Sequence, residues 1–185
     1  MIEKLMTPES PYFKSKFPNH KSIKEKVLSE IEIMPEKNLD IPGNSFITKL
    51  DWNIDRNYER KYLKYIENNL IEYMTNFIKE TKWNTWTIHN VWFQQYIHNS
   101  NHNWHVHTQC QFTNVYYLEL PKDAPQTDII NPFTNECQTL DVEEGDVITF
   151  PSFIIHRAPI IENDTRKTII SFNSDLDLDD SLYNV

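Results

Sequence analysis

From Thr85 to Asn173 the chain is a succession of short segments rich in β-branched and aromatic residues, separated by polar or proline-containing turns. This pattern constrains the fold more than any other feature, because such segments fit a pleated, half-buried surface and carry no helical period. Strands are predicted over residues 86–98, 103–108, 112–120, 127–130, 137–141, 146–150, 153–158 and 166–173. Eight short strands in one run suit a jelly roll, in which two sheets close over a narrow interior.

Upstream the period changes. Ile23, Val27, Leu28 and Ile31 recur at helical spacing and predict an amphipathic helix that ends before Pro35. A longer helix is predicted over residues 56–80, where Tyr62, Tyr65, Ile66, Ile71, Tyr73, Met74, Phe77 and Ile78 form a broad apolar stripe and Asp55 is expected to cap the start. Both helices should cover the outer face of one sheet. The first twenty residues show no periodicity and are expected to wrap over the domain or stay loose. The 185 residues therefore read as a single, mainly β domain with N-terminal α structure: a helical part over 1–84, a jelly-roll core over 85–174 and an acidic tail over 175–185. The tail reads as solvated surface charge.

Composition narrows the chemistry. A net charge of −9 disfavours a nucleic-acid partner, which draws its affinity from basic residues facing phosphates. Only Gly43 and Gly145 are glycines, so a Gly-rich phosphate loop is excluded. No apolar run reaches the roughly 18 residues of a membrane span, and the N-terminus lacks the apolar segment of a secretory signal. A cytoplasmic location is expected, with Cys110 and Cys137 reduced.

Within the predicted strands, His105 and His107 stand in Asn103-Trp104-His105-Val106-His107. Alternate residues of a strand share a face, so both imidazoles can aim at one point, where they either hold a metal or form a hydrogen-bonded polar face. His156 follows an apolar run, on a strand that a roll would return beside the first pair. His102 lies three residues before His105, near enough for a turn to bring it to the same point, whereas His20, His89 and His98 lack such a setting.

Thr113-Asn114-Val115-Tyr116-Tyr117-Leu118, Glu144-Gly145-Asp146-Val147-Ile148-Thr149-Phe150-Pro151-Ser152 and Arg166-Lys167-Thr168-Ile169-Ile170-Ser171-Phe172-Asn173 surround these histidines in order. Together they resemble the iron(II)- and 2-oxoglutarate-dependent oxygenases, most closely a prolyl-hydroxylase-like group found in bacteria and phages. The resemblance spans residues 90–173 and implies a cupin-like double-stranded β-helix. It implies Fe(II) held by His105, His107 and His156, with 2-oxoglutarate as cosubstrate and O2 as oxidant. It further implies Arg166 as the clamp on the far carboxylate, with Thr168, Tyr96 and Tyr117 beside it. The family's reaction would be hydroxylation of a C–H bond with release of succinate and CO2, here on a peptidyl or amino-acid substrate. Trp92, Phe93 and Trp104 are expected to line the site, and Arg157 to face away from it.

His107 departs from the usual pattern, since it stands where most of the superfamily has a carboxylate. Three neutral imidazoles also resemble the ligand set of cupin-type thiol dioxygenases, which use no 2-oxoglutarate, and a non-catalytic metal-binding jelly roll is a further alternative. Arg166 separates the first two readings, because only a dicarboxylate cosubstrate needs a cation at its far end.

Overall fold

The computed structural model describes residues 1–55 and 57–177. In chain order the elements are β1 (Ile2–Lys4), β2 (Phe13–Lys16), α1 (His20–Glu32), β3 (Leu39–Ile41), β4 (Ser45–Ile47), β5 (Lys49–Leu50), α2 (Leu63–Thr81) and β6 (Thr85–Tyr96). They continue with β7 (His102–His105), β8 (Phe112–Glu119), β9 (Asp128–Ile130), β10 (Cys137–Thr139), β11 (Asp146–Pro151), β12 (His156–Ala158) and β13 (Lys167–Asp177). Seven strands form one sheet in the order β1-β2-β11-β8-β13-β6-β5, and four form a second in the order β10-β9-β12-β7. The architecture is mainly β, with the antiparallel sheets of a jelly roll.

Strand β13 is the spine of the large sheet. It pairs with β6 from Lys167↔Tyr96 to Asp177↔Thr85 and with β8 from Thr168↔Glu119 to Ser174↔Phe112. Both of its faces are buried, unlike an antiparallel sheet with one face in water. Ile170, Phe172 and Leu176 pack toward the helices, against Val27, Ile31, Ile66, Tyr73 and Phe77. Ile169 faces the other way and joins Tyr96, Val115, Tyr117, Ile129, Phe150 and Ile154 inside the roll. The same alternation splits β8 into Tyr116 and Leu118 on the helix side and Val115 and Tyr117 inside.

The eight expected strands are all present, although the segment at 153–158 keeps only β12 as strand. The N-terminal part differs more. Its first residues are not loose: β2 pairs with β11 from Phe13↔Thr149 to Lys16↔Asp146, and β1 pairs with β2. They cover an edge that β11 would otherwise leave open, a non-local reward that a periodicity reading does not see. Helix α1 lies where its apolar spacing predicted, with Val27, Leu28 and Ile31 buried. Helix α2 starts later than predicted, at Leu63, and Asp55 instead accepts a turn hydrogen bond from the Asn57 amide at 2.8 Å. What holds the segment before α2 is Asp51, fully buried, which accepts from Phe93 N, Tyr62 Oη and Arg60 Nε at 2.8, 2.8 and 3.0 Å. Of the expected acidic tail, residues 178–185 lie outside the described residues, and Asp175 and Asp177 extend β13. No helix among the described residues is long and apolar enough to cross a membrane.

Candidate metal centre

The histidines meet where the small sheet faces the roll interior. β12 pairs antiparallel with β7 so that His156 lies opposite His105 and Ala158 opposite His102. His107 stands two residues past the end of β7, where its backbone N–H donates to Ser152 O at 3.1 Å. One nitrogen from each of His105, His107 and His156 falls within 4.8 Å of the others, and no carboxylate joins this cluster among the described residues.

Hydrogen bonding sets the tautomers. Nδ1 of His105 lies 2.7 Å from Asn103 O, Nδ1 of His156 lies 2.9 Å from Ile154 O, and Nδ1 of His107 lies 2.8 Å from Asn173 Oδ1. Each partner is an acceptor, so each Nδ1 carries the proton and each Nε2 keeps a free lone pair. Burial disfavours the charged form of all three rings. It pushes His105 down to about 4 and His156 well below the usual range, and it lowers His107. The rings are thus neutral at pH 7, the state in which imidazole ligates. Neutral imidazoles suit first-row divalent metals, and ligating histidines donate their second N–H to carbonyl or carboxamide oxygens as these do, so the donor set fits iron.

His102 also joins the cluster, stacked on His105 with ring centres 3.7 Å apart, and burial pushes it down to about 3. Its Nδ1 faces the Gln94 amide nitrogen at 3.4 Å and therefore serves as acceptor, the reverse of the other three. His102 flanks the cluster rather than completing it.

The cavity beside the histidines is lined by Gln94, Tyr96, Val115, Thr127, Ile169 and Ser171 and holds about 20 Å³, room for about one water. Behind Tyr96, on the same face of β13 as Ile169, lies Lys167, 1% exposed, with Nζ 6.0 Å from the ring centre of Tyr96 and 5.8 Å from that of Tyr117. The ammonium donates to Pro125 O at 2.8 Å and forms no ion pair among the described residues. Desolvation, only partly offset by Asp128, pushes its pKa down to about 7.

Solved structures share this architecture. A 2OG-Fe(II) oxygenase family oxidoreductase from Burkholderia pseudomallei superposes with a TM-score of 0.64 at 12% identity, over 81% of this chain and 77% of that one. A prolyl-4-hydroxylase from Pseudomonas putida gives 0.58 at 10% identity, over 88% and 91%. A prolyl hydroxylase from Trichoplax adhaerens, solved with a hypoxia inducible factor peptide fragment, gives 0.64 at 13% identity, over 89% and 83%. The fold is that of the 2-oxoglutarate- and iron(II)-dependent oxygenases. No family model and no curated protein matches the sequence.

Within this oxygenase fold the residues expected around the cosubstrate do not all face the interior. Arg166 lies outside it: Nε and Nη2 donate to Glu119 at 2.8 and 3.0 Å, and Nη1 pairs with Glu32 at the end of α1. Thr168 likewise donates to Glu119, at 2.8 Å. The reason is parity: Lys167, Ile169, Ser171 and Asn173 share the inner face of β13, and even-numbered neighbours point away. Tyr96 and Tyr117 are inside, fully buried, with Tyr117 Oη donating to Thr127 Oγ1 at 2.7 Å. Desolvation raises both phenols above their ordinary value.

Arg157 takes the face expected of it, paired in register with Asp128 while His156 pairs with the interior Ile129. It borders the same cavity, 4.5 Å over the Trp104 ring, and its Nε and Nη2 both reach Asp128 Oδ2 at 2.8 Å. Trp92 packs beside His107 at 5.5 Å between ring centres, whereas Phe93 turns to the helix side and meets Tyr62 edge-on at 5.7 Å.

Proposed function

We propose that this chain is an Fe(II)- and 2-oxoglutarate-dependent dioxygenase that uses O2 to hydroxylate a C–H bond of a peptidyl or amino-acid substrate, releasing succinate and CO2. The observation that carries the reading is the pairing of two features in one interior. Three imidazoles with free Nε2 atoms converge there, and a buried ammonium that forms no ion pair among the described residues stands on the inner face of β13. His105, His107 and His156 would hold the metal. Iron, when bound, would supply the centre at which O2 acts as oxidant, with two electrons coming from 2-oxoglutarate as it is oxidised to succinate and CO2 and two from the C–H bond.

The chain's own part is binding, orientation and exclusion of water. Lys167, rather than Arg166, takes the far carboxylate of the cosubstrate, since Arg166 is already satisfied by two glutamates. A carboxylate arriving beside Lys167 favours the charged amine and so reverses the effect of burial. Tyr96 and Tyr117 wall this end with aromatic surface and keep the ion pair dry, where it is worth more than in water. The peptide fragment bound by the Trichoplax enzyme of the same fold supports a peptidyl substrate.

The all-imidazole set keeps the thiol dioxygenase in view as a second reading. Anaerobic absorbance decides between them. Iron(II) with 2-oxoglutarate should give a weak visible charge-transfer band that iron(II) alone lacks, and absence of that band with iron bound would reject the 2-oxoglutarate reading.

A further inference from the structure

The three candidate ligands are not oriented alike. His105 and His156 each donate Nδ1–H to a backbone carbonyl two residues earlier, Asn103 O and Ile154 O, so their own local chain holds them. His107 has no such local acceptor. It lies beyond the end of β7, and its Nδ1 partner is a side chain 66 residues away, Asn173 Oδ1 at 2.8 Å.

Asn173 is itself held firmly. It is 9% exposed, and its backbone pairs with Thr113 on β8 and Asn90 on β6. The register of β13 against β6 shifts between Asn173 and Ser174. Around that shift the amide of buried Asn114 donates to Phe172 O at 3.0 Å and to Ser174 Oγ at 2.9 Å, clamping the residues on either side of Asn173. Such irregularities re-aim side chains next to functional sites. The carboxamide is therefore built into the sheet to face one ring.

We propose that Asn173 is the positioning residue that makes His107 a metal ligand. By accepting Nδ1–H it holds the tautomer and the ring angle that turn Nε2 toward His105 and His156. The residue standing in place of the usual carboxylate is thereby tied to the closing strand instead of to its own loop. The proposal rests on the metal reading above, and its test separates the two.

The experiment is a cobalt(II) titration of the full chain, following affinity and the visible ligand-field spectrum, for the parent, Asn173→Leu and Asn173→Asp. Leucine removes the acceptor and should weaken cobalt(II) about 10- to 100-fold, the usual cost of losing such an outer contact, with a changed spectrum. Aspartate keeps an acceptor oxygen at the same reach and should restore both affinity and spectrum. The metal-free melting temperature is read alongside, and Asn173→Ala replaces leucine should leucine lower it. Leucine binding as tightly as the parent, or aspartate binding as weakly as leucine, overturns the positioning role. A parent chain that binds neither cobalt(II) nor iron(II) overturns the metal reading itself.

Discussion

On its helix side the seven-stranded sheet sets Tyr116, Ile170 and Phe172 against Phe17, Tyr73 and Phe77, whereas inside the roll the same strands present Ser171 and Asn173 toward a cluster of histidines and bury Lys167 beside Tyr96 and Tyr117. Both faces are buried, and both carry polar groups. On the helix side three of these groups satisfy one another: Tyr73 Oη lies 2.7 Å from Thr149 Oγ1, which donates to Asn114 Oδ1 at 2.6 Å. Inside, an ammonium with no ion pair among the described residues and three imidazoles with open lone pairs keep capacity in reserve. A closed polar network specifies a fold, and an open one specifies what the fold can take up.

The sharpest way to break this contrast is His156→Ala. If the inner face is a metal site, the variant loses iron(II) affinity by more than the roughly 100-fold that an outer contact is worth, and metal no longer raises its melting temperature. Calorimetric binding equal to the parent's would remove His156 from the centre. The converse substitution lies on the other face. Phe172→Ala should cost about 3 to 5 kcal/mol in denaturant unfolding, because it opens a void in a close-packed aromatic core, and the folded fraction should still bind metal like the parent. A shifted metal affinity would show that the two faces are coupled through β13.

Lys167→Met sharpens the comparison within the inner face. It should weaken 2-oxoglutarate by roughly ten- to a hundredfold while metal stays bound, the loss expected for a charge-assisted contact of about 1.5 to 3 kcal/mol. It should also change the response to pH. The folded amine titrates at about 7 against 10.5 for a free lysine, so through that window the unfolded chain holds a proton that the folded one has released. Stability contributed by this group therefore rises with pH from about 7 toward 10.5, and the burial penalty is fully present below that window. Melting curves of the parent should show this rise relative to the methionine variant, and parallel curves would mean that Lys167 is not buried as a free amine. The smallest effect belongs to Arg166→Ala. Its half-exposed pairing with Glu119 and Glu32 should be worth less than about 1 kcal/mol, and 2-oxoglutarate affinity should not move. A large loss of cosubstrate binding would return the clamp to Arg166.

Local pattern made much of the fold legible in advance. The eight strands from Thr85 onward and α1 follow from alternation and helical spacing, properties that neighbouring residues carry among themselves. The convergence of His105 and His107 and the return of His156 could also be read from the two-residue spacing and a roll's closure, although β7 ends at His105 and His107 lies beyond it.

What the residues could not announce was decided by pairing across distance. Ile169 and Ile170 are equally apolar and both faces of β13 are covered, so no pattern in the segment tells whether Arg166 or Lys167 points inward. Only the register against β6 and β8 decides it. β1 and β2 exist because β11 offers them an edge, and the segment before α2 is held by the buried Asp51 and its partners on Arg60, Tyr62 and Phe93. His107 meets Asn173 only once β13 lies in place. Sequence by itself determined which stretches extend and which coil, since those are nearest-neighbour properties. Which cation is buried within the roll, and which carboxamide hydrogen-bonds His107, were decided by tertiary structure alone, because strand register is a property of the partners and not of the strand.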